Sequence, residues 1–227
     1  MFIAFQEDYL DVVLVPGGLL IVFLYHLVFL FKYLNHPLTT AMGNENQDKK
    51  VWVDKVCQKS DDIKNALSVI TSSISAATYL SMISLTLCSL LGAWIANSNT
   101  NKFVPSEIIY GNTKPTIVSI KYICLITSFL IAFSFFVQSA RHFVHANYLI
   151  STPKPVAANT RSKVEFDVIR GGVFWSLGLR ALYLALSFLL WFFGPIPMFA
   201  SSVSTVIILC YHDYDTKKFE NHKDGYD

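Results

Sequence analysis

Charge is scarce in this chain. Asp, Glu, Lys and Arg make up 15% of the 227 residues against 53% hydrophobic ones, a balance that departs from a soluble domain toward the membrane class. Cysteine offers no framework either. Cys57, Cys88, Cys124 and Cys210 are widely separated and lack CxxC or CxxH spacing, so they read as small buried hydrophobes, with neither disulfides nor a zinc site implied. Also missing are a GxGxxG turn, a Walker loop, an HExxH helix, a GxSxG elbow and any nucleophile set beside a base. The chain is therefore not expected to be an enzyme, and neither a cofactor nor a resident metal is expected. Basic residues are confined to segments beside apolar runs, which suits lipid contact and gives no nucleic-acid footprint. The N-terminus lacks a basic leader and a small-x-small cleavage site, so its apolar stretch reads as a retained helix rather than a signal peptide.

What the chain does have is four long apolar regions, near residues 9–33, 66–96, 117–150 and 172–211. Polar loops at 35–65, 97–116 and 151–171 separate them, and a polar tail covers 212–227. At 1.5 Å per residue, Val12 to Phe31 alone spans roughly 30 Å as a helix, the thickness of a hydrocarbon core. The expected fold is an all-α integral membrane protein, a single transmembrane domain over 1–227, with four transmembrane helices per subunit. Two prolines in Gly194–Pro197 cannot sit inside an undisturbed helix, so the fourth span is kinked or broken there, or splits into two to give five spans. Lys and Arg cluster in the first and third loops, which places 35–65 and 151–171 in the cytosol.

Three acids crowd the threshold of the first span. In QEDYLD, the spacing of Glu7, Asp8 and Asp11 puts all three on one helix face. Either they complement the helix macrodipole, or symmetric assembly turns them into rings at a pore mouth that gather cations. The second span is rich in small hydroxylated residues. Ser68, Ser72 and Ser75, with Thr71, Thr78, Ser81 and Ser84, recur at three- and four-residue steps, as a packing seam or a wetted pore wall would. QSARHFVHANYL carries Arg141, His142 and His145, one HxxH only, which reads as a basic helix end and not as a diiron cluster. Arg180, taken to lie about two turns inside a helix beginning at Gly171 and Gly172, should pair with an acid or snorkel to the interface.

Three stretches carry a family resemblance: YLDVVLVPGGLL at Tyr9 to Leu20, VQSARHFVHANYLI at Val137 to Ile150, and GGVFWSLGLRALY followed by LWFFGPIPMF between Gly171 and Phe199. They resemble a plant-specific family of membrane proteins of unknown function, and within it the clubroot-resistance cation channels. The resemblance implies a homo-oligomer, a pentamer, in the endoplasmic reticulum, with a central pore that passes calcium in plant immune signalling. Five subunits would convert Glu7, Asp8 and Asp11 into five-membered rings, with Phe5 or Phe23 as a hydrophobic gate. The rival class is a non-conducting scaffold that binds anionic lipids or protein partners through its basic loops. A metal-dependent membrane oxidase is a third, and would need His142 and His145 as ligands.

Overall fold

In lipid a backbone must satisfy its own polar groups, and each regular element among the described residues is helical. The computed structural model of the chain describes residues 2–58, 62–97, 114–152 and 158–214, with backbone alone at 2–9, 97, 158–159 and 214. The helices are α1 (Phe2–Asn35), α2 (Ala41–Gln58), α3 (Ile63–Asn97), α4 (Pro115–Ser151), α5 (Ala158–Trp191) and α6 (Pro195–Tyr214), with a 3-10 turn at Pro37–Thr39 between α1 and α2. All but α2 are long and apolar enough to cross a membrane, which makes this an integral membrane protein with five candidate spans.

The count corrects the expectation of four spans. At the end of α5 the N–H groups of Phe192, Phe193 and Gly194 donate to the carbonyls of Leu189, Leu190 and Trp191, three residues back, and tighten the last turn. Gly194 then takes φ 138°, a conformation open in practice to glycine alone. Pro195 opens α6 at the one helical position where its missing N–H costs nothing. The result is a tight hairpin in place of a kinked span. Because α6 starts at Pro195 its 20 residues reach roughly 30 Å, enough to cross.

Two segments expected to be loops are also helical. Within 35–65, Thr40 caps α2 by accepting the Gly43 N–H on Oγ1 at 3.2 Å, and Met42, Val53 and Val56 are buried. Within 151–171, α5 already runs from Ala158, so Gly171 and Gly172 lie inside the helix and Arg180 about six turns along it.

Among the described residues, the most extensive helix pairing is between α4 and α5. Gly171 and Gly178 lie on one face of α5, where an added Cβ would stand 2.9 Å from the Phe143 ring and 2.7 Å from the Phe136 ring. Phe136 is fully buried there, and the Ser139 hydroxyl donates across the seam to the Gly171 carbonyl at 2.8 Å. On the other side of the bundle α1 packs along α6, which packs back against α5. A central core of Val15, Leu91, Leu125, Phe129, Phe188, Trp191 and Met198 draws on all five spans. A second core, at the end where α2 lies, joins Val53 and Val56 to Ile70, Phe143, Ala146, Val164 and Val168.

Candidate functional site

The polar side chains of the bundle gather at its two ends. At the first, the start of α1, the start of α4 and the end of α5 converge. Asp11 is 9% exposed, and its Oδ1 accepts the Trp191 indole N–H at 3.0 Å. Lys121, 2% exposed, holds Nζ 5.4 Å from the centroid of the same indole. Trp94, Tyr122 and Phe192 continue an aromatic layer around the end. A carboxylate and an ammonium buried together on one indole anchor three helices. Asp11 is thus turned into the helix bundle, while the side chains of Phe5, Glu7 and Asp8 lie outside the described residues.

Toward the other end, Arg180 is paired. Its Nη2 donates to both oxygens of Asp213 on α6 at 3.2 Å, the two side chains being 10% and 12% exposed. The Tyr25 hydroxyl donates to the same carboxylate, and the guanidinium carbon lies 4.1 Å from the Phe29 ring centroid. Nη1 is buried with no hydrogen-bond partner among the described residues.

At the α2 end, His142 and His145 place Nδ1 2.9 Å and 2.5 Å from the two oxygens of Asp167, which is 5% exposed. One HxxH turn of α4 thereby clasps a single carboxylate of α5. No group of three metal-ligating side chains is arranged around an ion-sized space among the described residues. Nearby charges are also engaged: Arg161 meets Asp54, Lys50 lies 3.6 Å from Glu165, and Lys49 lies 2.7 Å from Glu45. Burial pushes the Cys57 thiol in α2 up, with Arg161 opposing it.

The hydroxyl stripe of α3 divides. Ser81 and Ser84 turn inward, whereas Ser68, Thr71, Ser72, Ser75 and Thr78 are exposed on the outer face of the bundle. Ser72, Ser75 and Thr78 donate to the carbonyls of Ser68, Thr71 and Ile74 at 3.0, 3.0 and 2.8 Å. Phe23 is 60% exposed on α1.

A family model described as a protein of unknown function, DUF599, matches residues 13–218, nearly the whole chain. The chain belongs to the DUF599 family. No curated protein and no solved structure matches it. The DUF599 match takes in the Arg180 and His142 clusters and the whole of α3, and begins two residues after Asp11.

Sequence reasoning missed Trp191, Asp213 and Asp167 as partners. Asp213 falls in what reads as a polar tail, and only the end of α6 lifts it to Arg180. A signal for Asp167 was present, since an acid in the third basic loop faces two histidines if that loop is helical. The Trp191 contact joins residues 180 positions apart and has no local signature.

Proposed function

We propose that the protein assembles as a ring-shaped homo-oligomer whose central pore conducts cations, calcium among them. The observation that carries this reading is the outward hydroxyl face of α3. Small hydroxylated residues on an exposed face let copies meet closely around an axis or hold water between them. Ser72, Ser75 and Thr78 each give their proton to their own helix, so the oxygen lone pairs are what remain to face the axis. Such oxygens attract cations and repel anions. Glu7 and Asp8, whose side chains lie outside the described residues, enter the proposal from the sequence alone, as carboxylates at the pore mouth.

The family resemblance of the sequence supplies the finer parts of the proposal: five subunits, calcium release to the cytosol from the endoplasmic reticulum, and a role in plant immune signalling. The scaffold alternative depends on free basic groups. Arg161, Lys50 and Lys49 are engaged by acids of the same chain, which leaves fewer cations to recruit an anionic surface.

The test is the reversal potential of purified protein in planar bilayers under bi-ionic calcium and potassium chloride gradients, for wild type and the Glu7→Gln, Asp8→Asn variant. A cation-selective current whose calcium preference falls in the variant supports the channel. A well-folded oligomer that passes no current returns the protein to the scaffold class.

A further inference from the structure

Between Lys121 and Arg141, α4 runs nineteen residues without a charged side chain or a histidine, which as a helix is about 28 Å, one hydrocarbon thickness. Arg141 therefore stands at the depth of lipid headgroups. It opens a cavity of about 600 Å³ whose wall continues through Val144, His145 and Tyr148 of the same helix, with His142 and Asp167 behind them. Toward the middle of the membrane, Val137, Leu130 and Ile123 are exposed at four, eleven and eighteen residues before Arg141. Those spacings keep one helix face, so an apolar track leads up to the cavity.

The histidines are held from behind. An ionised carboxylate only accepts, so both Nδ1 atoms carry the hydrogens that they donate to Asp167. His142 is fixed further by the Phe174 ring, stacked with its centroid 5.5 Å away. With Nδ1 turned to the buried carboxylate, Nε2 of His145 stands at the outer edge of a side chain that is 57% exposed. Asp167 is the one acid of the cavity, and it is buried with both oxygens engaged by the rings. Arg141 is exposed and, unlike Arg161, Lys50 and Lys49, is in no ion pair among the described residues. The Tyr148 side chain is exposed two turns further along the same helix.

A guanidinium, an imidazole edge and a phenol at headgroup depth suit a phosphate, and the imidazole decides which kind. Arg141 can take two oxygens of any phosphate side by side. A phosphodiester then has neither a second charge nor a proton to offer Nε2. A phosphomonoester has both, since its second pKa is about 6: its proton can pass to Nε2, leaving a dianion between imidazolium and guanidinium and a third oxygen for the Tyr148 hydroxyl. We infer that this cavity binds a membrane lipid whose headgroup ends in a phosphomonoester, the phosphate on Arg141 and His145 and one acyl chain along Val137, Leu130 and Ile123.

The experiment is native mass spectrometry of the full-length protein released from detergent micelles, titrated with phosphatidic acid, phosphatidylserine or phosphatidylcholine of identical acyl chains. Phosphatidic acid, the simplest lipid phosphomonoester, should bind on the order of tenfold more tightly than phosphatidylserine, which is anionic but whose phosphate is a diester. Arg141→Gln and His145→Gln should each remove most of that preference, and because both side chains are exposed the variants keep the fold. Lys55→Gln, which removes an exposed charge of α2 outside the cavity, should leave the preference intact. Equal binding of phosphatidic acid and phosphatidylserine overturns the inference. So does a preference that survives both the Arg141 and the His145 change, or one that falls as far with Lys55→Gln. Inorganic phosphate that displaces phosphatidic acid at comparable concentration would assign the site to a free anion and overturn the lipid.

Discussion

Replacing Asp213 with alanine should be among the most damaging single changes outside the α4–α5 seam. The Arg180 guanidinium it faces is 10% exposed and makes both of its carboxylate contacts at 3.2 Å. Two unit charges at that separation attract by roughly 5 kcal/mol at an effective dielectric of 20. Breaking such a pair by removing one partner costs about 3–5 kcal/mol, because the remaining charge is left buried. Loss of the carboxylate also orphans the Tyr25 hydroxyl. The Asp213→Ala variant should therefore lower the folded-to-unfolded ratio by about 100-fold to several thousand-fold, at a factor of ten per 1.4 kcal/mol. Replacing both partners, as Arg180→Leu with Asp213→Leu, removes the charges together and should recover most of that loss. The assay is equilibrium unfolding of purified protein in mixed micelles, set out as a double-mutant cycle. A single variant within about 1 kcal/mol of wild type, or a double variant no more stable than the singles, would refute the claim that this ion pair is a coupled, desolvated unit.

Three further outcomes follow from the same structure. Gly178→Val should destabilise by about 1–3 kcal/mol in the same assay, since its Cβ would stand 2.7 Å from a fully buried Phe136 ring that has nowhere to move. Trp191→Phe should cost about 1–3 kcal/mol by removing the N–H donor to buried Asp11, whereas Trp94→Phe, at the more exposed rim, should cost less than about 1 kcal/mol. In a variant with Cys57 as the sole cysteine, maleimide labelling at neutral pH should be slower than for a free thiol, because a raised thiol pKa means less thiolate; Arg161→Leu should slow it further by removing the charge that favours the thiolate, and faster labelling would contradict this.

How much of this was legible beforehand depended on how local each signal is. Length and hydropathy suffice for α1, α3 and α4, since nothing but a helix or a closed barrel crosses lipid. The Gly194–Pro197 break was visible, but whether it kinks a helix or turns it back depends on the φ of Gly194 and on hairpin contacts such as Ser187 with Ser201 at 3.3 Å. Helix α2 escaped notice because its stretch is polar on average and only Met42, Gly43, Val53 and Val56 are buried. In the site, Arg180 announced itself as a charge in an apolar run. Its partner stayed hidden, because Asp213 belongs to another helix and reads as the beginning of a tail. The carboxylate cluster at Glu7, Asp8 and Asp11 was legible as a helical face, yet Asp11 points to Trp191, which only the tertiary fold could reveal. Likewise the spacing of Ser68, Ser72 and Ser75 gave a face, while the direction of that face, away from α4, came from the packing.

The central claim is that cations pass along the hydroxyl face of α3. Its most direct test is block of the bilayer current by a water-soluble, positively charged methanethiosulfonate reagent. The background would be the protein stripped of its four native cysteines, with single cysteines placed at Ser68, Ser72 or Ser75, and at Ile131 on the outer face of α4 as a control. The account predicts rapid block at the α3 positions, slowed by high calcium, and no block at Ile131. A current that survives modification at all three serines, or is blocked only from Ile131, would contradict it.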